Sequence, residues 1–266
     1  MSKKGKGSRN KHEDYQTEEQ KNLSRSINQK KAWIAILAVA VVISAVLIGK
    51  HFLTPKTPED ERITIELDAA FGGDQPGYEG IITEAEFNEK TVDALETLLK
   101  KDSHFTVLRT HEAGTAMSVD ERAAKINEDQ PDVVLCIRSE DDKSADVSGM
   151  KVYANIPTSE YHDQSLQLAD AIKSAFTSDA WTPTAGYLYY KPVRTAYQLH
   201  YVDESDTTDY GEETLRLMQH CNVPVVVSTG IYVTSQSDVD TWANDDGYTL
   251  AAKQYYAALK EVYVTD

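Results

Sequence analysis

The sequence predicts a single α/β domain, a mainly parallel, mixed sheet flanked by helices, preceded by one transmembrane helix. Three observations lead there. The stretch ITIELDAAFGG at Ile63–Gly73 and the wholly apolar runs within Val133–Ile137 and Val223–Val227 read as buried strands. Segments with the apolar period of a helix lie between them, and strands alternating with helices build a layered sheet. Finally, Ala32–Gly49 carries no charge over about one bilayer crossing.

The 266 residues have room for one sizeable domain plus extras. Met1–Lys31 is polar, holds nine of the 27 Lys/Arg and only four of the 43 Asp/Glu, and cannot bury enough apolar surface to order itself. It reads as a basic disordered cytoplasmic tail. Ala32–Gly49, AWIAILAVAVVISAVLIG, is bounded by Lys31 and Lys50, with Trp33 and Phe52 placed for the two interfaces. A buried core helix would carry polar residues on one face, and this one has only Ser44. A cleaved signal peptide is the stronger rival, but the charged lead is long and no A-x-A site follows. An uncleaved signal anchor fits best. Residues 50–61, with Pro55 and Pro58, then form a short stiff linker, and 62–266 an extracytoplasmic domain on a single-pass cell-membrane protein.

Within that domain the first strand delivers its loop, through Asp68, Gly72 and Gly73, to the carboxyl edge of the sheet, where ligands of open α/β sheets bind. Thr83–Lys101 has a helical apolar period through Phe87, Val92, Leu95, Leu98 and Leu99, with Thr83 as N-cap. Phe105–Arg109 is a strand, Val119–Asp129 a helix, Val133–Ile137 a buried strand and Met150–Ala154 another. Ser159–Phe176 is an amphipathic helix, Val223–Val227 a second buried strand and Tyr248–Val262 the closing helix. Tyr187, Tyr189, Tyr190, Tyr197 and Tyr201 cluster within Trp181–Tyr201, where strand packing or stacking on a sugar or partner would both use them. Asp203–Asp209 is a solvated acidic loop without the spacing of an EF-hand.

The net charge of −16 leaves the part after residue 31 with eighteen Lys/Arg against 39 Asp/Glu, which argues against a nucleic-acid binder. Cys136 and Cys221 are too few for a disulfide framework and read as buried thiols. The histidines His104, His111, His162, His200 and His220 fall in separate segments, although His111 or His162 could fold toward the strand ends. Neither Ser228 nor Cys136 has a nucleophile-elbow pattern.

The order of these pieces resembles the zinc-dependent N-acetylmuramoyl-L-alanine amidases, over roughly Ile63–Tyr263. LDAAFGG matches the family's first zinc loop in Asp68, Gly72 and Gly73, with Phe71 where a histidine ligand belongs. EAEFN matches the helix opening that supplies a glutamate ligand, Glu84, together with Asn88. HFTVLRT and SVDERAAKIN match the next strand and helix, retaining Arg122 and Asn127. DVVLCIRSE matches the second histidine strand, with Arg138 in the ligand position and Glu140 in place of an asparagine. PVVVSTGIYVTSQSD matches the strand of the catalytic glutamate, at Thr229 in a gapless alignment or Ser228 after a one-residue shift.

The resemblance therefore implies an amidase-like domain in which one zinc ligand of three survives, no catalytic glutamate stands and no cofactor is held. Arg138 and Glu84 would converge where the metal would sit, as a charge-assisted pair, with Phe71 filling the vacated volume. Glu84 could instead be a solvated residue of the first helical turn. The implied role is binding of peptidoglycan or docking of an envelope protein. The rivals are an active peptidoglycan hydrolase with a rebuilt site, and a structural scaffold.

Overall fold

The computed structural model of the chain describes residues 62–264 except 179–180, 194–195, 207 and 209. The expected tail, transmembrane anchor and linker lie outside the described residues. No helix among the described residues is long and apolar enough to cross a membrane.

Seven strands form one sheet: β1 (Ile63–Ala69), β2 (Phe105–Arg109), β3 (Val133–Glu140), β4 (Lys151–Tyr153), β5 (Thr184–Val193), β6 (Ala196–Asp203) and β7 (Val225–Tyr232), in the order β2-β1-β3-β7-β4-β5-β6. The half from β2 to β7 is parallel. β4 runs antiparallel to β7 and parallel to β5, and β5–β6 is an antiparallel hairpin. The sheet is thus mainly parallel and mixed, as expected.

Helices cover both faces. α1 (Glu84–Leu99), α3 (His162–Phe176) and α6 (Asp245–Tyr263) seal one core through Phe87, Leu95, Leu168, Ile172, Tyr255 and Leu259, packed on Ile65, Leu67 and Leu135. α2 (Val119–Asp129) and α4 (Arg216–His220) seal the other through Ile126, Leu217 and Met218 on Val134, Cys136, Val225 and Val227. Each fully buried aliphatic side chain is worth about 1.5–3 kcal/mol. A short helix, α5 (Gln236–Trp242), precedes α6.

Local chemistry sets several boundaries. Thr83 caps α1, its hydroxyl accepting from Glu86 N at 3.2 Å. Ser118 and Glu121 close a reciprocal capping box on α2. β7 begins two residues later than its apolar run because Pro224 has no N–H to give the ladder. β3 continues past its apolar run to Glu140, and β7 to Tyr232, so both strands carry polar residues to the carboxyl edge of the sheet.

Candidate functional site

The loop after β1 opens with a bulky residue in an unusual conformation. Phe71 has φ 69°, the left-handed region in which a non-glycine residue costs about 1–3 kcal/mol. Reciprocal bonds between Gly72 and Gln75, at 3.0 and 2.9 Å, close the turn behind it. Asn88 of α1 donates from Nδ2 to the Ala70 carbonyl at 2.7 Å, tying the loop to the helix. Asp68 is fully buried and works inward: Thr110 Oγ1 donates to it at 2.6 Å and Arg122 Nη1 forms an ion pair with it. Gly73 packs its backbone against Ala116 and Gly114, where a Cβ would meet atoms at 2.9 and 3.0 Å.

Glu84 sits at the N-terminus of α1 with no exposed surface, so it is not a solvated first-turn residue. Its Oε1 accepts from Ser139 N at 3.1 Å and from Arg138 Nε at 3.3 Å, and its Oε2 from Tyr78 N at 3.2 Å. The Arg138 side chain is about a quarter exposed (27%) and its guanidinium carbon stands 5.6 Å from the centre of the Phe71 ring. Burial, the largest influence, works to lower the Arg138 pKa, and its anionic neighbours, Glu84 first among them, together outweigh it, so the guanidinium ends above its ordinary value. Ser139 Oγ donates to Asn88 Oδ1 at 3.1 Å, completing a tie between β3 and α1. Phe71, Glu84 and Arg138 are thus in one place.

Catalytic zinc takes about three protein ligands at about 2.0–2.2 Å plus an open position. These residues do not fit it. Both oxygens of Glu84 already accept hydrogen bonds, Arg138 is a permanent cation, and Phe71 offers no lone pair. His111 does reach the end of β1, but its Nε2 lies 2.8 Å from the Ala69 carbonyl oxygen and is used there; His162 Nδ1 lies 3.0 Å from the Asn155 carbonyl oxygen. Among the described residues, no three or more His, Cys, Asp or Glu are grouped to hold a metal ion.

On β7 the register pairs Arg138 with Thr229 and Ile137 with Ser228. Thr229 Oγ1 donates to the Lys151 carbonyl of β4 at 3.1 Å, while Ser228 Oγ meets Tyr255 OH at 2.8 Å in the core under α6. Of the two alignments, the one that selects Thr229 puts the residue beside Arg138. Glu140 stands near Lys151 and within 3.4 Å of Tyr153 OH; burial raises its pKa and Glu84 adds to this, with Lys151 and Arg138 pulling the other way.

The cavity of this region, about 300 Å³, lies on the α2/α4 side of the strand ends. Arg122, Arg138 and Arg216 line it together with Phe71, Met117 and Leu217. Arg216 was not singled out by its sequence, since nothing in spacing connects it to residues 78 or more positions earlier; Arg122 was, through the family pattern. Cys136 also lines the cavity, but burial, then Asp68, holds its thiol well above the ordinary range, and Cys221 is pushed up by burial to about 12. Both thiols are free and buried, so neither is an activated nucleophile. Ser228 has no exposed surface and its hydroxyl is engaged by Tyr255.

A family profile described as N-acetylmuramoyl-L-alanine amidase matches residues 65–261. A putative N-acetylmuramoyl-L-alanine amidase from Buchnera aphidicola is 28% identical over 95 residues, which is 35% of this chain and 40% of that protein's length. The match therefore spans about two fifths of that relative. The catalytic domain of CwlV, an N-acetylmuramoyl-L-alanine amidase from Bacillus (Paenibacillus) polymyxa, superposes with a TM-score of 0.57 at 16% identity, covering 75% of this chain and 97% of that one. The CwlD amidase from Clostridioides difficile, solved in complex with the GerS lipoprotein, gives 0.57 at 14% identity, covering 77% of this chain and all of that one (100%). At these identities the structural likeness establishes the fold.

Proposed function

This chain belongs to the N-acetylmuramoyl-L-alanine amidase family, and we propose that it is a member that binds at the bacterial cell wall without cleaving it. The observation that carries this reading is the Glu84–Arg138 pair at 3.3 Å: a cation occupies the place where the resemblance puts a metal, and it engages the one ligand-type side chain left there. Lowering the pKa of a bound water toward about 7 needs that metal, and a guanidinium has no open coordination position with which to do it. Thr229 and Ser228 offer no carboxylate to act as a general base. The retained loop, helix opening and strand ends supply a groove that can still hold a wall fragment.

The charge-free run at Ala32–Gly49 supports anchoring of this domain at the outer face of the membrane, with the basic tail inside. Peptidoglycan is the partner we favour; docking of an envelope protein is the alternative, and CwlD in complex with a lipoprotein is a precedent for it on this fold. Metal analysis of the purified protein, paired with a muropeptide-release assay on isolated sacculi, tests the reading. No stoichiometric zinc, no released muropeptide and co-sedimentation with sacculi are expected. Stoichiometric zinc together with cleavage abolished by a chelator would establish a working hydrolase with a rebuilt site. Failure to sediment with sacculi would leave the protein-docking alternative.

A further inference from the structure

The cavity beside the Glu84–Arg138 pair has a composition at odds with the rest of the chain. After residue 31 the chain carries more than twice as many acidic as basic residues, yet no Asp or Glu lines this cavity and three arginines do. Each is held on one edge by a carboxylate outside the lining: Arg138 through Nε by Glu84, Arg122 through Nη1 by Asp68, and Arg216 through Nη2 by Asp120 at 2.6 Å. That pairing fixes the guanidinium planes of Arg138 and Arg122, while the Arg216 pair is exposed at the rim. Arg122, only 8% exposed, has a fully buried Nε with no hydrogen-bond partner among the described residues. An unpaired donor this deep is costly, and it belongs to a guanidinium that lines the cavity.

The other walls are mostly apolar, Phe71, Met117, Val119, Leu215, Leu217 and Val227 among them, with Gln75 and Tyr190 adding polar groups. A volume of about 300 Å³ is about ten times a water's share of the liquid, room for one or two small residues. Planar guanidinium forks match a carboxylate bidentately, and the apolar walls favour a short aliphatic side chain beside it over a hydrated inorganic ion.

We infer that this cavity binds the terminal carboxylate of a peptide whose last side chain is small and aliphatic. The carboxylate is gripped by the free edges of Arg138 and Arg122, with Arg216 at the rim. The choice of a peptide rests on the cell-wall reading, whereas the carboxylate selectivity rests on the cavity itself.

Titration calorimetry on the full-length chain in a mild detergent tests this, with N-acetyl-D-alanyl-D-alanine, its C-terminal amide and glycerol phosphate as probes. The free acid is expected to bind about tenfold or more tighter than the amide, the usual worth of a charge-assisted contact. R138Q should weaken the acid by about tenfold, and R216Q, at a solvent-exposed rim position, by a few-fold. Comparing acid with amide needs no variant and is independent of whether R138Q folds. Acid and amide binding alike, or glycerol phosphate binding more tightly than the acid, overturns the inference. Selective acid binding without co-sedimentation on sacculi would leave the cavity assignment intact and overturn only the cell-wall reading; co-sedimentation without acid selectivity would do the reverse.

Discussion

Glu66, on β1 beneath α2, should make the domain less stable as pH rises, which is unusual for a carboxylate. Its side chain has no exposed surface, and neither oxygen has a hydrogen-bond partner among the described residues. Burial first, then Asp129, raises its pKa from the ordinary 4.5 to about 7; Lys125 opposes this and Asp68 adds to it. In the unfolded chain the group loses its proton near 4.5, so between 4.5 and about 7 the folded state holds a proton that the unfolded state has released. Folded stability therefore falls through this window: the group costs nothing below 4.5 and its full penalty above 7. At about 1.4 kcal/mol per tenfold change in proton affinity, that penalty is about 3 kcal/mol. Glu66→Gln keeps the shape and removes the charge. Urea denaturation from pH 4 to 8, followed by near-UV circular dichroism, should show the variant about 2–3 kcal/mol more stable at pH 8, equal to wild type near pH 4, and lacking most of the slope between. A variant whose stability falls with pH as steeply as the wild type's would refute the assignment of that slope to Glu66.

Two further substitutions probe the candidate site. Arg138→Ala leaves the Glu84 carboxylate buried with only its two backbone donors, and should cost about 2 kcal/mol in the same denaturation assay, below the 3–5 kcal/mol of a fully buried broken pair because Arg138 is partly exposed. Gly77→Ala forces a side chain into φ +70° and sets its Cβ 2.7–2.9 Å from Glu84 and Phe71, so it should lower the thermal midpoint by several degrees and loosen the Phe71 turn, read as faster amide exchange at Gly72.

The sheet and the larger helices were legible because burial writes a period into the chain. Phe105–Arg109 and Val119–Asp129 have the same ends in sequence and structure, the second because Ser118 and Glu121 mark the start chemically. Legibility failed where polar residues do structural work. The apolar run Val133–Ile137 stops at Arg138, but the strand runs on to Glu140 because Glu84 and Asn88, 51–55 residues away, answer the groups that follow. In the Tyr-rich segment the strand packing that such a cluster most often signals is present, as the β5–β6 hairpin with Tyr187 and Tyr189 buried, but the composition marks no boundary between its two strands. α4 and α5, of five and seven residues, are too short to display a helical period. The cavity's third arginine was invisible for a related reason: only the packing of α4 on α2 brings Arg216 and Asp120 together.

The three positions that the resemblance assigns to ligand and base are each built into the fold by a separate bond. Arg138 neutralises Glu84, Phe71 closes a left-handed turn and lies against that guanidinium, and Thr229 stitches β7 to β4. Any one exchanged alone disturbs a partner: a histidine at 138 would free Glu84 but leave Phe71 over an empty space, and a glutamate at 229 would break the bond to Lys151 and add a second buried carboxylate near the first. Costs of this kind couple because the side chains touch, so they do not sum from single changes. The present arrangement is accordingly a stable alternative packing of the same strand ends. What it offers a ligand is fixed positive charge in an apolar cavity, which suits holding an anionic group more than activating a water.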